Sequence, residues 1–155
     1  MTEPVQLAKQ TTDRLRSAIT SSDSSSLTRT IDITNEYYTG FIKLTQESEN
    51  VVITLTAAAI MNNSTAMVNY KISQKELPIT PSDTLMNMFS LNENVYYIGS
   101  SIQMLGSTRY NYTLSVKLTN GKLYPDVSFT NQSTTNYIDS FSITGILPCC
   151  SIRNS

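Results

Sequence analysis

The sequence contains no histidine and no tryptophan, and among its 155 residues only five are glycine, two are cysteine and 15% are charged. Each shortage excludes something. Without histidine the chain lacks the commonest general base, the usual activator of a nucleophile and the commonest neutral metal ligand. Carboxylates alone can run an enzyme, but the twelve acidic residues form no convincing pair, and Asp23 and Asp83 stand beside serine, as turn and cap residues do. The scattered glycines make no phosphate cradle, so no nucleotide, other cofactor or metal is expected, and the chain is not read as an enzyme. A net charge of −1 with no Lys/Arg run leaves a nucleic-acid binder without its electrostatic footprint. No stretch approaches the roughly 20 apolar residues of a membrane span, and the N-terminus lacks the layout of a signal peptide.

Both cysteines are adjacent, Cys149-Cys150, so neither a disulfide framework nor a zinc spacing can be read. This usage fits synthesis in a reducing cytoplasm. The plain reading is two small residues after the last strand, one of them buried; the sharper one is a cross-link between subunits.

What is abundant is serine, threonine and asparagine, about a third of the chain, the composition of a β-rich protein with an uncharged polar surface. The clearest local signal is Asn120-Gly121, since a type I′ hairpin turn needs positive φ at both central residues. With those two as the turn, Thr119 faces Lys122, Leu118 faces Leu123, Val116 faces Pro125, Leu114 faces Val127 and Tyr112 faces Phe129. Every second pair is apolar on both strands, so the ribbon has one greasy face that another sheet must cover. A slip by one residue would turn that set to solvent. Pro125 has no N–H to donate and places its strand at an edge or a bulge.

Elsewhere from Arg29 onward the period is two. Strands are expected at 30–34, 37–44, 51–60, 67–73, 95–98, 101–105 and 137–146, with a bulge at Gly99 and a turn near Asn35-Glu36. Ser82 caps a short helical turn through Leu85, Met86 and Phe89. Eight or nine short strands with regular turns specify a mainly β fold, an antiparallel β-sandwich or jelly-roll-like domain.

The N-terminus is different. Thr2-Glu3-Pro4 reads as a helix start, and Val5, Ala8, Thr12, Leu15 and Ile19 recur at alternating spacings of three and four, a seam of two heptads. It serves either as an amphipathic helix on its own domain or as a short coiled coil too weak to associate unaided. A Ser-rich joint follows. The expected organisation is a helix over 1–20, a linker over 21–28 and a β-domain over 29–155.

Nine tyrosines are an excess; the plain reading is ordinary β-propensity, and the sharper one is that outward rings stack on sugars or fill a protein interface. Tyr38, Tyr97 and Tyr110 are the candidate ligand contacts.

This layout of heptad stub, Ser-rich joint and Ser/Thr/Asn/Tyr-rich β-domain resembles the small trimeric fibres and head-decoration spikes of bacteriophages and other viruses. The resemblance implies a virion structural protein, a homotrimer displayed on the virion surface after synthesis in the host cytoplasm. The N-terminal seam would anchor it to a capsid or other virion protein, and the head would contact host surface glycans. The alternative is a soluble carbohydrate-binding module.

Overall fold

The computed structural model describes residues 27–36, 38–60, 72–91, 93–105, 107–129 and 140–153. The expected N-terminal helix with its seam, most of the Ser-rich joint and all but the end of the expected 67–73 strand lie outside the described residues. Among those described, the chain runs β1 (Thr28–Asp32), β2 (Tyr38–Glu47), β3 (Asn50–Ala59), β4 (Ile79–Pro81), α1 (Asp83–Leu91), β5 (Val95–Leu105), β6 (Thr108–Thr119), β7 (Lys122–Phe129), β8 (Ser140–Leu147) and β9 (Cys150–Ile152). The protein is mainly β, with antiparallel sheets and one short described helix.

Three sheets form. β1-β2-β3-β8 is four-stranded, β5-β6-β7 three-stranded and β4-β9 a two-stranded clasp. The β6–β7 hairpin has the register read from the sequence, Thr119↔Lys122 out to Tyr112↔Phe129. Asn120 and Gly121 both have positive φ, 51° and 77°. Pro125 sits on β7, an outer strand of its sheet, where its missing N–H costs no interior ladder bond.

Side chains that alternate along the strands meet between the two larger sheets. Ile42, Leu44, Ile53, Leu55, Ile143 and Leu147 pack opposite Tyr110, Leu114, Val116, Leu123 and Val127, all buried. Aromatic rings bind the sheets to each other. Tyr112 on β6 stacks on Phe141 of β8 with centroids 4.2 Å apart and planes 5° from parallel, and Phe129 stands edge-on to Tyr112 at 5.0 Å. Such pairs are worth about 0.5–1.5 kcal/mol beyond their buried area.

At one corner the backbones of the two sheets approach closely. A Cβ on Gly145 of β8 would lie 1.9 Å from the Ile98 carbonyl oxygen of β5, and one on Gly99 would lie 2.7 Å from that of Thr144. Only glycine at both positions permits this approach.

α1 starts where the sequence places it. The Leu85 N–H donates to Ser82 Oγ at 3.1 Å, and Leu85 and Phe89 are buried against the core. The β4–β9 clasp has no counterpart among the expected strands, the last of which ends at Ile146. Ile79 pairs with Ile152 and Pro81 with Cys150, short strands whose pattern is too brief to carry a period.

Candidate interaction surface

Concavities come first, because chemistry usually needs one. A groove of about 330 Å³ is lined by Glu49, Thr80, Pro81, Ser82, Thr84, Cys149, Cys150 and Ser151. Its polar groups are largely spent on structure. Ser82 caps α1, and the Ser82 N–H donates to the Cys149 carbonyl. Both cysteines are free thiols. Cys150 is buried and donates to the Leu147 carbonyl at 3.2 Å. Burial, and secondarily Cys149, push its pKa up to about 12, so it stays a neutral thiol rather than a nucleophilic thiolate. Cys149, half-buried, takes positive φ, 59°. One cysteine is thus buried and one is not, as the plainer reading of the pair expects.

The adjoining β2–β3 turn is clasped by a single side chain. Gln46 Nε2 donates to the carbonyls of Ser48, Asn50 and Cys150 at 2.9, 3.1 and 3.0 Å, while its Oε1 accepts from the Ile152 N–H at 2.7 Å. This use of the amide accounts for a half-buried polar residue near the end of β2. A second groove, about 250 Å³, is lined by Ser73, Lys117, Thr119, Tyr124 and Pro125. Among the described residues no group of three His, Cys, Asp or Glu side chains is placed to hold a metal ion.

Broad outer faces remain. On the four-stranded sheet the register brings Thr30, Lys43, Thr54 and Thr144 into one row and Asp32, Phe41, Thr56 and Ser142 into the next. Thr54 and Thr144 share a hydroxyl contact of 3.1 Å, and Thr56 and Ser142 one of 3.4 Å. The face is paved with hydroxyls and interrupted by the exposed ring of Phe41.

The tyrosines divide. Tyr97 is 58% exposed, with its hydroxyl 3.1 Å from Ser100 Oγ. Tyr38 and Tyr110, expected outward, point into the core and are 0% and 2% exposed. Two reasons account for them. The inward side of β2 is set by Ile42 and Leu44, with which Tyr38 shares parity. Tyr110 and Tyr112 are two residues apart and so share a face, both inward. Tyr112 is buried too, its hydroxyl has no hydrogen-bond partner among the described residues, and burial followed by Tyr110 pushes its pKa up to about 12. The seam Val5, Ala8, Thr12, Leu15 and Ile19 lies outside the described residues.

Exposed apolar residues missed by sequence reasoning cluster on β5: Val95, Ile102 and Met104 join Tyr97 there. Phe41 was missed as well. Alternation could have flagged 102 and 104, but which face they occupy depends on the bulge.

No protein-family model matches the chain, and no curated protein sequence matches it.

Proposed function

We propose that this chain is a non-enzymatic structural protein of a virus particle, a head fibre, decoration spike or tail-fibre knob, and that it works as a homotrimer. In this reading the β-sandwich is the exposed head, displayed at the virion surface after synthesis in the host cytoplasm. Residues 1–20, with Val5, Ala8, Thr12, Leu15 and Ile19, mount it on a capsid or other virion protein. The observation that carries the proposal is the character of the outer surface: broad and hydroxyl-rich on one sheet, with Lys43 and Asp32 as the charges of its two rows, and apolar along β5 on the other. Surfaces of this kind serve contact rather than turnover.

Sedimentation of the full-length chain tests it. The expected mass is three times 17.2 kDa, holding as concentration falls. A monomer independent of concentration overturns the fibre reading and favours the second one, a soluble carbohydrate-binding module. What favours that second reading is the exposed Phe41 ring, set between Asp32 and Thr56 in its row, since a flat ring flanked by polar groups suits a sugar. A glycan array with the wild type and Phe41→Ala separates the two: the module requires a sugar signal that the variant loses.

A further inference from the structure

We propose that the outer face of β5 is the surface through which copies of this chain associate, with Val95, Tyr97, Ile102 and Met104 forming an apolar seam along the symmetry axis. The inference deepens the homotrimer reading above and rests on it.

The argument begins at the bulge. Before it, β5 is normally amphipathic: Tyr96, opposite Val116, turns toward the core, while Val95 and Tyr97, opposite Lys117 and Ser115, turn out. The register then shifts between Tyr97 and Gly99, and the phase inverts. Ser101 and Gln103 now pair with the buried Tyr112 and Tyr110 on the inner side, whereas Ile102 and Met104 pair with Asn111 and Arg109 on the outer side. Ile102 is 53% and Met104 60% exposed, while Ser101 and Gln103 are half-buried. A strand that turns its polar residues in and its apolar ones out breaks the rule followed by β2, β6 and β7. Such local conflicts mark places where another surface completes the structure.

The same strand carries little of the usual side-chain protection of a sheet edge. β5 is an outer strand of its sheet, and its eleven residues, Val95–Leu105, include no charge and no proline. Edge strands of monomers are ordinarily guarded by lysine, proline or inward charge. Two guards are present: β8 lies against β5 at the Gly99–Gly145 corner, and the bulge turns the strand there while delivering Ile102 and Met104 to the outside.

Size and chemistry select a second copy as the occupant. Four large side chains about half exposed, spread over roughly 30 Å of strand, present a few hundred Å² of apolar surface, the size at which a patch marks a contact site. A stable interface removes roughly 800 Å² per partner, and the neighbouring outer residues of β6, Lys117, Ser115, Thr113, Asn111 and Arg109, supply the polar remainder. The stripe itself holds no charge, and the flanking cations, Lys117 beside Val95 and Arg109 beside Met104, stand at its two ends. Interfaces between copies of one chain are the more apolar class and are depleted of charge at their centre, with tyrosine and methionine enriched. Around a threefold axis, three identical stripes cover one another.

The test is the mass of the full-length chain with Ile102→Glu and Met104→Glu together, at positions exposed in the subunit. The expected result is a monomer that keeps its β-type circular dichroism, with half-dissociation moved to concentrations at least ~100-fold higher. Ile146→Glu, an exposed isoleucine on the other sheet, should leave the trimer intact. A trimeric wild type with an equally trimeric double variant overturns the seam and leaves the trimer reading standing; a monomeric wild type overturns both. Should the double variant lose its β signal, Ile102→Cys decides. Oxidation should give covalent dimers that neither the native chain nor Ile146→Cys yields, and no cross-link overturns the seam. A chain that stays monomeric until a lipid vesicle or foreign protein is added also counts against self-association.

Discussion

Two hairpins in this protein have the same two-residue connection and opposite origins. In β6–β7 the turn is Asn120-Gly121, both residues in the left-handed region, and Gly121 has nothing within 4 Å of where its Cβ would be. That turn is specified by its own two residues. In β2–β3 the turn is Ser48-Glu49, between the paired Glu47 and Asn50. Ser48 takes positive φ, 58°, at a cost that asparagine or glycine would avoid. What holds it is in part distant in sequence: Gln46 binds the nearby Ser48 and Asn50 carbonyls, but it also binds the Cys150 carbonyl and accepts from the Ile152 N–H, and the Cys150 N–H donates to the Glu49 carbonyl at 2.9 Å. Local turn chemistry and a tertiary clasp are interchangeable solutions to one geometric problem. They differ in which part of the chain must be intact for the turn to hold.

The largest expected effect breaks the tertiary side. Gly145→Ala puts a methyl into the Ile98 carbonyl, and backbone on both strands must move, costing about 3 kcal/mol or more. β8, the strand beside β3, would be displaced, and the β2–β3 hairpin with it. The measurement is the denaturation midpoint together with soluble yield; a melt equal to wild type would show that β5 and β8 do not meet at this corner.

Gln46→Ala comes next, at about 2 kcal/mol, because several hydrogen bonds go at once and partly buried carbonyls lose their donor. Amide exchange should accelerate at Ile152 and Cys150 while the β6–β7 amides keep their protection. Uniform acceleration in both hairpins would mean that the clasp is no separate unit.

The smallest effects have opposite signs and sharpen the contrast. Gly121→Val should cost about 1 kcal/mol or more, since a β-branched residue is strained at positive φ even in open space. Ser48→Gly should raise stability by about 0.5 kcal/mol by relieving the left-handed serine. Thermal melts of the two single variants decide, and a loss in both would leave the strain at Ser48 without support.

Ion pairs add little to either hairpin. Glu76 lies 3.0 Å from Arg153 and 4.0 Å from Lys122, and Lys117 lies 3.8 Å from Asp126; all are partly solvated, and such pairs contribute about 0–1 kcal/mol each. Packing and hydrogen bonds carry the fold instead.

By itself the sequence determined the elements whose physics is local. Alternation over eight or more residues settled β6 and β7 with their register, Asn120-Gly121 settled the turn between them, and Ser82 with the Leu85 and Phe89 spacing settled α1. Pro125 announced an outer strand for the same reason, since a missing donor is a property of one residue. Tertiary structure alone decided the rest. β4 and β9 are three residues each, too short for a period, and exist because Ile79 and Ile152 find each other across the chain. Gly99 reads as a bulge and Gly145 as an ordinary strand position, and nothing local shows that two backbones meet there. The inward turn of Tyr38 and Tyr110 and the outward turn of Ile102 and Met104 were likewise hidden. The face of a strand residue is fixed by parity counted from its partners, and a single bulge resets that count without changing a letter of the pattern.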